Sequence, residues 1–399
     1  MRFRVFAWPI IAGATIGLAV WHLDAPASLA LLLPFIWLRA GTRLAGAGAV
    51  LAYYLAGAYD LIDAARMFFG QSILVGLAAW LGQAVILSIP WLLLWAPANA
   101  PGRPWRVAAV LVTTAVPPIG LFNWLSPLLA AGDVLPAAGL WGLVGTILLS
   151  TLLATWPQWK LNQWTVLLGV ATIMTVQLVA AVTPRGEPPA GVGGINTAMG
   201  VLPPTDRTAQ FHRVQAVKEV ISNVRPGTVT ILPEGIVGRW RPAVQYWLGA
   251  DRAGGTVLLG ADVPTPDSEG GYLNALVDAR TGAVVASARI PMPVALWKPW
   301  APAESARVAP WGSGLTRIAG HPAAISFCYE DFLLWPQLLS LPRHPEVLVS
   351  VANNWFVRDG SHSANIQARS IALMARIFGV PLVRAVNYLP SSAPSTEVN

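Results

Sequence analysis

Three residues that could take part in covalent catalysis stand beside apolar, strand-like segments. Glu234 follows the β-branched run at 228–232, Cys328 closes the run AAISFC at 323–328, and Lys298 lies within the word LWKPW. A polar residue directly after a buried strand is placed at the rim of a sheet, where clefts form. A thiolate is a nucleophile, a carboxylate can accept a proton, and an ammonium can stabilise a developing negative charge.

Taken alone, each of the three residues can also be explained by a structural role without catalysis. Glu234 fits an acidic residue in the first turn of a helix. Lys298 lies between Trp297 and Trp300 and fits a lysine whose stem is held in a membrane interface. Cys328 is the only cysteine, which rules out an internal disulfide, and a lone thiol is more often inert packing than chemistry. The five histidines show no ligand spacing, so neither a metal nor another cofactor is expected.

Strand-like and helix-like segments alternate through the second half of the chain, which predicts a layered α/β domain at 201–390. Strands are predicted at 228–232, 256–262, 272–279, 282–290, 323–328, 346–352 and 381–387, and helices at 207–224 and 361–378. The Pro- and Gly-rich residues 185–200 are predicted to form a linker, and residues 391–399 a tail. In the first of the two helices, apolar side chains recur at helical spacing at Phe211, Val214, Val217 and Ile221.

The first 184 residues have the composition of a membrane domain. Hydrophobic residues make up 55% of the chain and charged residues only 11%, and the first 184 residues hold just eight basic and four acidic side chains. A membrane-spanning helix needs about 20 apolar residues. About seven such helices are predicted, at 5–23, 26–39, 44–59, 72–96, 107–130, 135–156 and 164–184. None has a charge in its middle, which disfavours a transporter or an ion pathway.

The basic residues of this half indicate its orientation. With the N-terminus in the cytoplasm, seven of them fall on the cytoplasmic side: Arg2, Arg4, Arg39, Arg43, Arg103, Arg106 and Lys160. Only Arg66 falls outside. An odd number of spans then places the α/β domain on the outer face of an inner membrane, in the periplasm. The first apolar run lacks a clear cleavage site and is expected to stay as a helix.

The words around the three candidate residues resemble the carbon–nitrogen hydrolase (nitrilase) superfamily. They read LPEGIVGRW at Glu234, LWKPW at Lys298 and ISFCYEDF at Cys328. The resemblance implies a Glu-Lys-Cys triad on a four-layer αββα sandwich. Apolar helices in front of such a domain are similar to the apolipoprotein N-acyltransferase branch, as are the triplet Cys-Tyr-Glu and the run at 364–388. Within that branch, the size and wording are most similar to conjugal transfer proteins of plasmids.

The resemblance implies a role for each site residue. Cys328 would form a thioester, Glu234 would act as the general base, and Lys298 with the backbone N–H of Tyr329 would bind the oxyanion. Glu304 is a candidate for orienting Lys298, and Glu330 for orienting the backbone after Cys328. Two loops depart from the branch pattern: Glu304 lies six residues after Lys298, where the branch has a glutamate after eight, and the word NNWF is one residue short. The branch also continues with further strands and an eighth membrane helix.

The expected partners follow from the membrane half and the resemblance. They are the lipid bilayer, a membrane-associated acyl or amide substrate, and proteins of a conjugation apparatus. The net charge of +7 does not indicate nucleic-acid binding, because the chain has no basic cluster interleaved with aromatic residues. An acyltransferase or amidase and a catalytically silent membrane scaffold are both compatible with the sequence.

Overall fold

The computed structural model describes residues 2–70, 72–98, 100–155, 186–250, 254–266 and 270–390, together with a few positions between 169 and 182. The chain divides into two compact units. The helical unit contains residues 1–186 together with the short returns 332–335 and 366–379. The α/β unit contains the remainder, so the helical unit also receives two segments from the second half of the chain.

The helical unit is built from apolar helices joined by short turns. Its helices are α1 (Arg2–His22), α2 (Leu32–Arg39), α3 (Arg43–Gly57), α4 (Leu61–Phe68), α5 (Ile73–Leu94), α6 (Arg103–Thr113), α7 (Ala131–Val134) and α8 (Gly139–Thr155). A side chain caps the start of α3, where the Thr42 hydroxyl accepts a hydrogen bond from the Ala45 N–H.

Within the described residues, α5 is the one unbroken helix long and apolar enough to cross a membrane. Two bent pairs raise the number to three if each is a single span: α3 with α4, and the segment Pro127–Val134 with α8. The seven-helix prediction is therefore not confirmed. The predicted span 107–130 is wrong as a continuous helix, because α6 ends at Thr113, and prolines 117 and 118 remove the backbone donors that would extend it. The predicted span 164–184 lies largely outside the described residues.

The α/β unit contains two sheets. The first has the strand order β1-β2-β3-β4-β5 and the second the order β6-β7-β8-β9. The strands are β1 (Val192–Gly194), β2 (Val229–Ile231), β3 (Thr256–Pro264), β4 (Tyr272–Asp278), β5 (Val284–Ser287), β6 (Leu315–Ile318), β7 (His321–Phe327), β8 (Val347–Asn354) and β9 (Leu382–Tyr388). The helices in this half of the chain are α9 (Arg207–Ser222), α10 (Pro242–Leu248), α11 (Leu334–Ser340) and α12 (His362–Phe378), and the last two each contribute residues to the helical unit.

The two sheets pack face to face through buried aliphatic side chains, among them Ile231, Leu258, Phe327 and Val349. Helix α9 covers the outer face of the first sheet with Val214, Val217 and Ile221. The first residues of α12 pack on β8 and β9 through Ala364. The described residues of the unit therefore form one helix layer, two sheets and the first residues of a further helix on the second sheet, which is part of the αββα arrangement that was predicted.

Residues 185–200, expected to be a linker, contain the first strand of the sandwich. Strand β1 pairs in parallel with β2, and the residues after it cross to the second sheet. There the Thr197 N–H donates to the Val386 carbonyl, and the Tyr388 N–H donates back to the Thr197 carbonyl at 2.8 Å. The outer edge of β9 is therefore covered by a segment from the beginning of the unit.

Candidate active site

Glu234 lies three residues beyond the end of β2, at the carboxyl edge of the first sheet. Its backbone packs directly on Gly260 of the neighbouring strand β3. A Cβ added at Gly260 would lie 2.3 Å from the Cα of Glu234 and 2.4 Å from the N of Gly235. Only glycine permits this approach, so the residue type at 260 fixes where the carboxylate emerges.

The Glu234 side chain is buried and held by two neighbours. The side-chain amide of Asn274, on strand β4, donates to the Glu234 carboxylate. The Cys328 thiol donates to the same carboxylate. Burial raises the pKa of Glu234 to about 7, although both hydrogen bonds oppose the shift, and the negative charges of Asp262 and Asp331 add to the increase. A carboxyl whose pKa lies near neutrality is matched to general-base work.

Cys328 follows β7 at the corresponding edge of the second sheet and begins a short 3-10 turn. Its φ is 27°, in the left-handed region that non-glycine residues rarely occupy, so the thiol stands on a strained elbow. The backbone N–H of Asn353 donates to the sulfur, and the Asn354 amide oxygen lies 4.0 Å from it. Burial, followed by the charge of Glu234, raises the pKa of the Cys328 thiol well above its usual value. The resting pair is therefore a neutral thiol beside a carboxyl group.

Glu330 and Tyr329, the residues after the elbow, are both buried. The Glu330 carboxylate accepts the backbone N–H groups of Arg289 and Ile290 at 2.5 Å and 3.0 Å. It also pairs with the Arg289 guanidinium, whose Nη2 lies 2.7 Å from Oε2. These contacts tie the elbow to the segment after β5, which fits the orienting role expected of Glu330.

Asp331 anchors the elbow from a second side. Its two carboxylate oxygens accept the hydroxyl groups of Ser326 and Ser350, each at 2.7 Å. Those serines lie on the neighbouring strands β7 and β8, opposite each other in register. Burial raises the pKa of Asp331 to about 7, against the lowering effect of the nearby Arg384 charge.

Lys298 and Glu304 are not joined to this pair. Lys298 is half-buried in an irregular loop, where its backbone N–H donates to the Ser305 hydroxyl at 2.9 Å. Its ammonium makes no hydrogen bond or ion pair with any residue that the structure describes. Glu304 ends a short 3-10 turn and is exposed. The structure thus brings together Glu234 and Cys328, and leaves the predicted contributions of Lys298 and Glu304 as predictions.

Sequence reasoning missed Asn274, which holds the Glu234 carboxylate. The signal was present in the strand YLNALVD, where an amide occupies an inward-facing position among apolar residues. Such a buried amide needs a hydrogen-bond partner, and the strand adjacent to the one carrying Gly260 supplies the geometry. Asn353 belongs to the motif NNWF noted in the sequence, but its backbone N–H was not predicted to donate to the sulfur of Cys328.

No family model matches the chain. Two curated proteins align with it over nearly their full lengths. One, from Sinorhizobium fredii, is called a probable conjugal transfer protein TraB and is 28% identical, covering 96% of this chain and 98% of its own length. The other, the conjugal transfer protein TraB of Agrobacterium fabrum, is 29% identical over 97% of this chain and 93% of its own. The chain is similar to these two proteins, both named TraB, over nearly the whole of the aligned sequences. The similarity to plasmid conjugal transfer proteins indicated by the sequence is thereby confirmed.

Among solved structures, an amidase of the nitrilase superfamily from Nesterenkonia AN1 is similar to part of the chain. It is 16% identical, with a TM-score of 0.34, and the match covers 52% of this chain and 79% of the amidase. A further structure of an amidase from Nesterenkonia matches 52% of this chain at 15% identity with a TM-score of 0.33.

Proposed function

We propose that this chain is a membrane-bound enzyme in which Cys328 forms a thioester with an acyl group and passes that group to an amine or to water. The observation that carries the proposal is the hydrogen bond between the half-buried Cys328 thiol and the buried Glu234 carboxyl, which follow strands of different sheets. A nucleophile within hydrogen-bond reach of a base is the arrangement that covalent catalysis requires.

The chemistry proceeds in two steps. Glu234 accepts the thiol proton while the sulfur of Cys328 attacks the acyl carbonyl, and the leaving group then departs with that proton. In the second step, an amine or water gives its proton to Glu234 as it attacks the thioester, the carbon–sulfur bond breaks, and Cys328 recovers the proton. Lys298 and the Tyr329 N–H are the proposed donors to the oxyanion, each worth about 3 kcal/mol. Glu304 would orient Lys298 once a substrate is bound.

The proposed setting is the inner membrane of a Gram-negative cell. In this proposal the apolar helices anchor the chain and the α/β unit faces the periplasm. The bias of basic residues supports a cytoplasmic N-terminus. The names of the TraB relatives support a role in plasmid conjugal transfer. The proposed partners are therefore the bilayer, a membrane-associated acyl or amide substrate, and proteins of the conjugation apparatus, with no direct contact to nucleic acid.

A silent scaffold is the second candidate function. The position of Lys298 favours it, because the ammonium that should bind the oxyanion makes no contact with Glu234 or Cys328 in the described structure. In that case the fold would serve the conjugation apparatus without turnover, and Cys328→Ala would leave the frequency of plasmid transfer unchanged.

Trapping the acyl-enzyme distinguishes the two functions. The full chain in native membranes is quenched in acid, and the peptide containing Cys328 is weighed. Because the chain has a single cysteine, every thioester adduct maps to that residue. We expect an adduct on the parent and none on Cys328→Ala, which lacks the thiol. A parent that never carries an adduct, combined with unchanged transfer by Cys328→Ala, would support the scaffold instead.

A further inference from the structure

Asp262 lies on the same face of the first sheet as Glu234 and nearer the rim. Strand β3 runs parallel to β2, so both strands end at the same edge. Gly260 packs against the backbone of Glu234. Asp262 lies two residues after Gly260, so it is on the same face of the sheet and about 7 Å further along the strand. Asp262 pairs in register with Asn274, whose side chain therefore lies on that face as well.

The Asp262 carboxylate has no partner among the residues that the structure describes: neither a hydrogen bond nor an ion pair engages it. The exposed Arg239 acts on it only through its charge. Burial raises the pKa of Asp262 to about 6. Burial, followed by the charges of Asp262 and Glu234, raises the pKa of Tyr272. The two carboxylates and the phenol therefore lie close together.

Asn274 supplies a second acceptor without a partner. Its side chain is 3% exposed, its amide nitrogen donates to Glu234, and its amide oxygen has no hydrogen-bond partner. A buried acceptor left unsatisfied is costly, and in a native fold it marks a place where a ligand or water donates. An acceptor oxygen and an unpaired carboxylate on one face are complementary to a group rich in N–H donors.

We propose that Asp262 is a specificity-determining residue that binds a protonated nitrogen on the substrate group that exchanges protons with Glu234. This inference rests on the proposed function. Glu234 returns its proton to the leaving group and takes one from the attacking nucleophile, so a side chain beside Glu234 contacts that part of the substrate and not the acyl chain. A cation held between two neighbouring carboxylates also relieves their mutual repulsion.

The reaction balances with an alkylammonium as the acceptor. The bound ammonium gives one proton to Asp262, which releases it to solvent, and becomes a neutral amine. The amine nitrogen attacks the thioester carbon and gives a second proton to Glu234. The carbon–nitrogen bond forms, the carbon–sulfur bond breaks, and the thiolate of Cys328 takes the proton from Glu234. The products are an amide, the free thiol and one proton in solution.

The test compares a cationic and a neutral nucleophile on the full chain in detergent micelles. p-Nitrophenyl butyrate is the acyl donor, and release of p-nitrophenol reports acylation of Cys328. Ethylamine, an ammonium at neutral pH, and methoxyamine, which is neutral there, compete with water for the thioester. The ratio of amide to acid product is measured for the parent, for Asp262→Asn and for Glu219→Gln, a control in which an exposed carboxylate on α9 is neutralised.

We expect Asp262→Asn to reduce the preference for ethylamine over methoxyamine about tenfold, the loss of one charge-assisted hydrogen bond. Because the Asp262 charge also raises the pKa of Glu234, transfer to each nucleophile is expressed relative to hydrolysis of the acyl-enzyme of the same variant. Glu219→Gln should match the parent. Equal loss with both nucleophiles, while acylation persists, would overturn the inference and leave the proposed function standing. A parent that shows no acylation above Cys328→Ala would overturn both.

One measurement does not depend on the folding of the variant. In the parent, ethylamine should saturate the acyl-enzyme at a lower concentration than methoxyamine, and equal KM values would contradict a role for Asp262. Asp262→Glu keeps the charge and should retain at least part of the preference for ethylamine, whereas a complete loss in that variant would oppose charge recognition.

Discussion

The side-chain amide of Asn274 donates to the Glu234 carboxylate from the neighbouring strand β4, so the proposed general base is held by a residue 40 positions further along the chain. The second neighbour of that carboxylate is the Cys328 thiol. Both hydrogen bonds favour the ionised acid, whereas burial disfavours it more strongly. The balance leaves the Glu234 carboxyl with a pKa of about 7.

The pH dependence of acylation should follow the ionisation of Glu234. Its pKa is raised to about 7, so below that pH the carboxyl is protonated and cannot accept the thiol proton. We expect kcat/KM for p-nitrophenyl butyrate to rise with pH through about 7 and then level off. Glu234→Gln should lower kcat/KM about a hundredfold to ten-thousandfold at the plateau and remove the inflection. A value of kcat/KM that stays constant between about pH 5 and pH 9 would argue against Glu234 as the base.

Replacing Asn274 should move that inflection. The amide stabilises the charged form of Glu234, so Asn274→Leu removes a lowering influence and the pKa of Glu234 should increase further. We therefore expect the midpoint of the rise in kcat/KM to shift to a more alkaline pH, with activity partly recovered at high pH. The measurement is the full profile for parent and variant. A shift toward acid pH, or a uniform loss at every pH, would show that Asn274 acts in another way.

Gly260→Ala should displace the base without removing it. The added Cβ would lie 2.3 Å from the Cα of Glu234, against backbone that cannot rotate away, so the segment after β2 must move. We expect acylation of Cys328 to fall at least tenfold, since misplacement of a catalytic group by about 1 Å costs roughly a hundredfold. Gly193→Ala is the matched control, because no heavy atom lies within 4 Å of its added Cβ. Equal activity in the two variants would contradict the close approach.

The ion pair behind the elbow should be a stability determinant. Arg289 and Glu330 are 3% and 0% exposed, so removing one partner leaves a buried charge without compensation. Arg289→Met should cost about 3–5 kcal/mol and lower the apparent Tm by about 6 °C or more. The double variant Arg289→Met/Glu330→Leu should recover part of the loss. Glu346→Gln, which breaks the exposed pair with His321, should cost less than about 1 kcal/mol. Similar losses for the buried and exposed pairs would refute the assignment.

Most strands of the α/β unit could be predicted from the sequence because their apolar runs are bounded by clear turn residues. The run AAISFC, predicted as a strand at 323–328, is the end of β7, and the helix predicted at 361–378 is α12. Strand β1 could not be recognised, since Val192–Gly194 has only one apolar side chain and gains its stability from pairing with β2. Phe211 fits the apolar face of α9 by spacing, yet it is 46% exposed and lies edge-on to Trp247.

The site was predictable in part for a different reason. Glu234 and Cys328 each follow shortly after a strand, and the end of a strand constrains where the next residues lie, so their convergence follows from the sheets. Lys298 and Glu304 lie on an irregular loop, for which the sequence indicates neither the path of the backbone nor the direction of the side chains. Asp262 carries no motif at all, and its relation to Glu234 emerges only from the register of β3 against β4.

The pairing of residues 195–200 with β9 joins parts of the chain that are synthesised far apart. The Asn387 side chain accepts from the Thr197 hydroxyl at 2.9 Å and donates to the side-chain amide oxygen of Asn353 at 2.8 Å. The backbone N–H of the same Asn353 donates to the sulfur of Cys328. The ribosome must therefore synthesise almost the whole α/β unit before residues 195–200 can pair with β9. Formation of the candidate site should thus come late in the folding of the unit, after β9 has been synthesised, and the earlier strands stay incompletely paired until then.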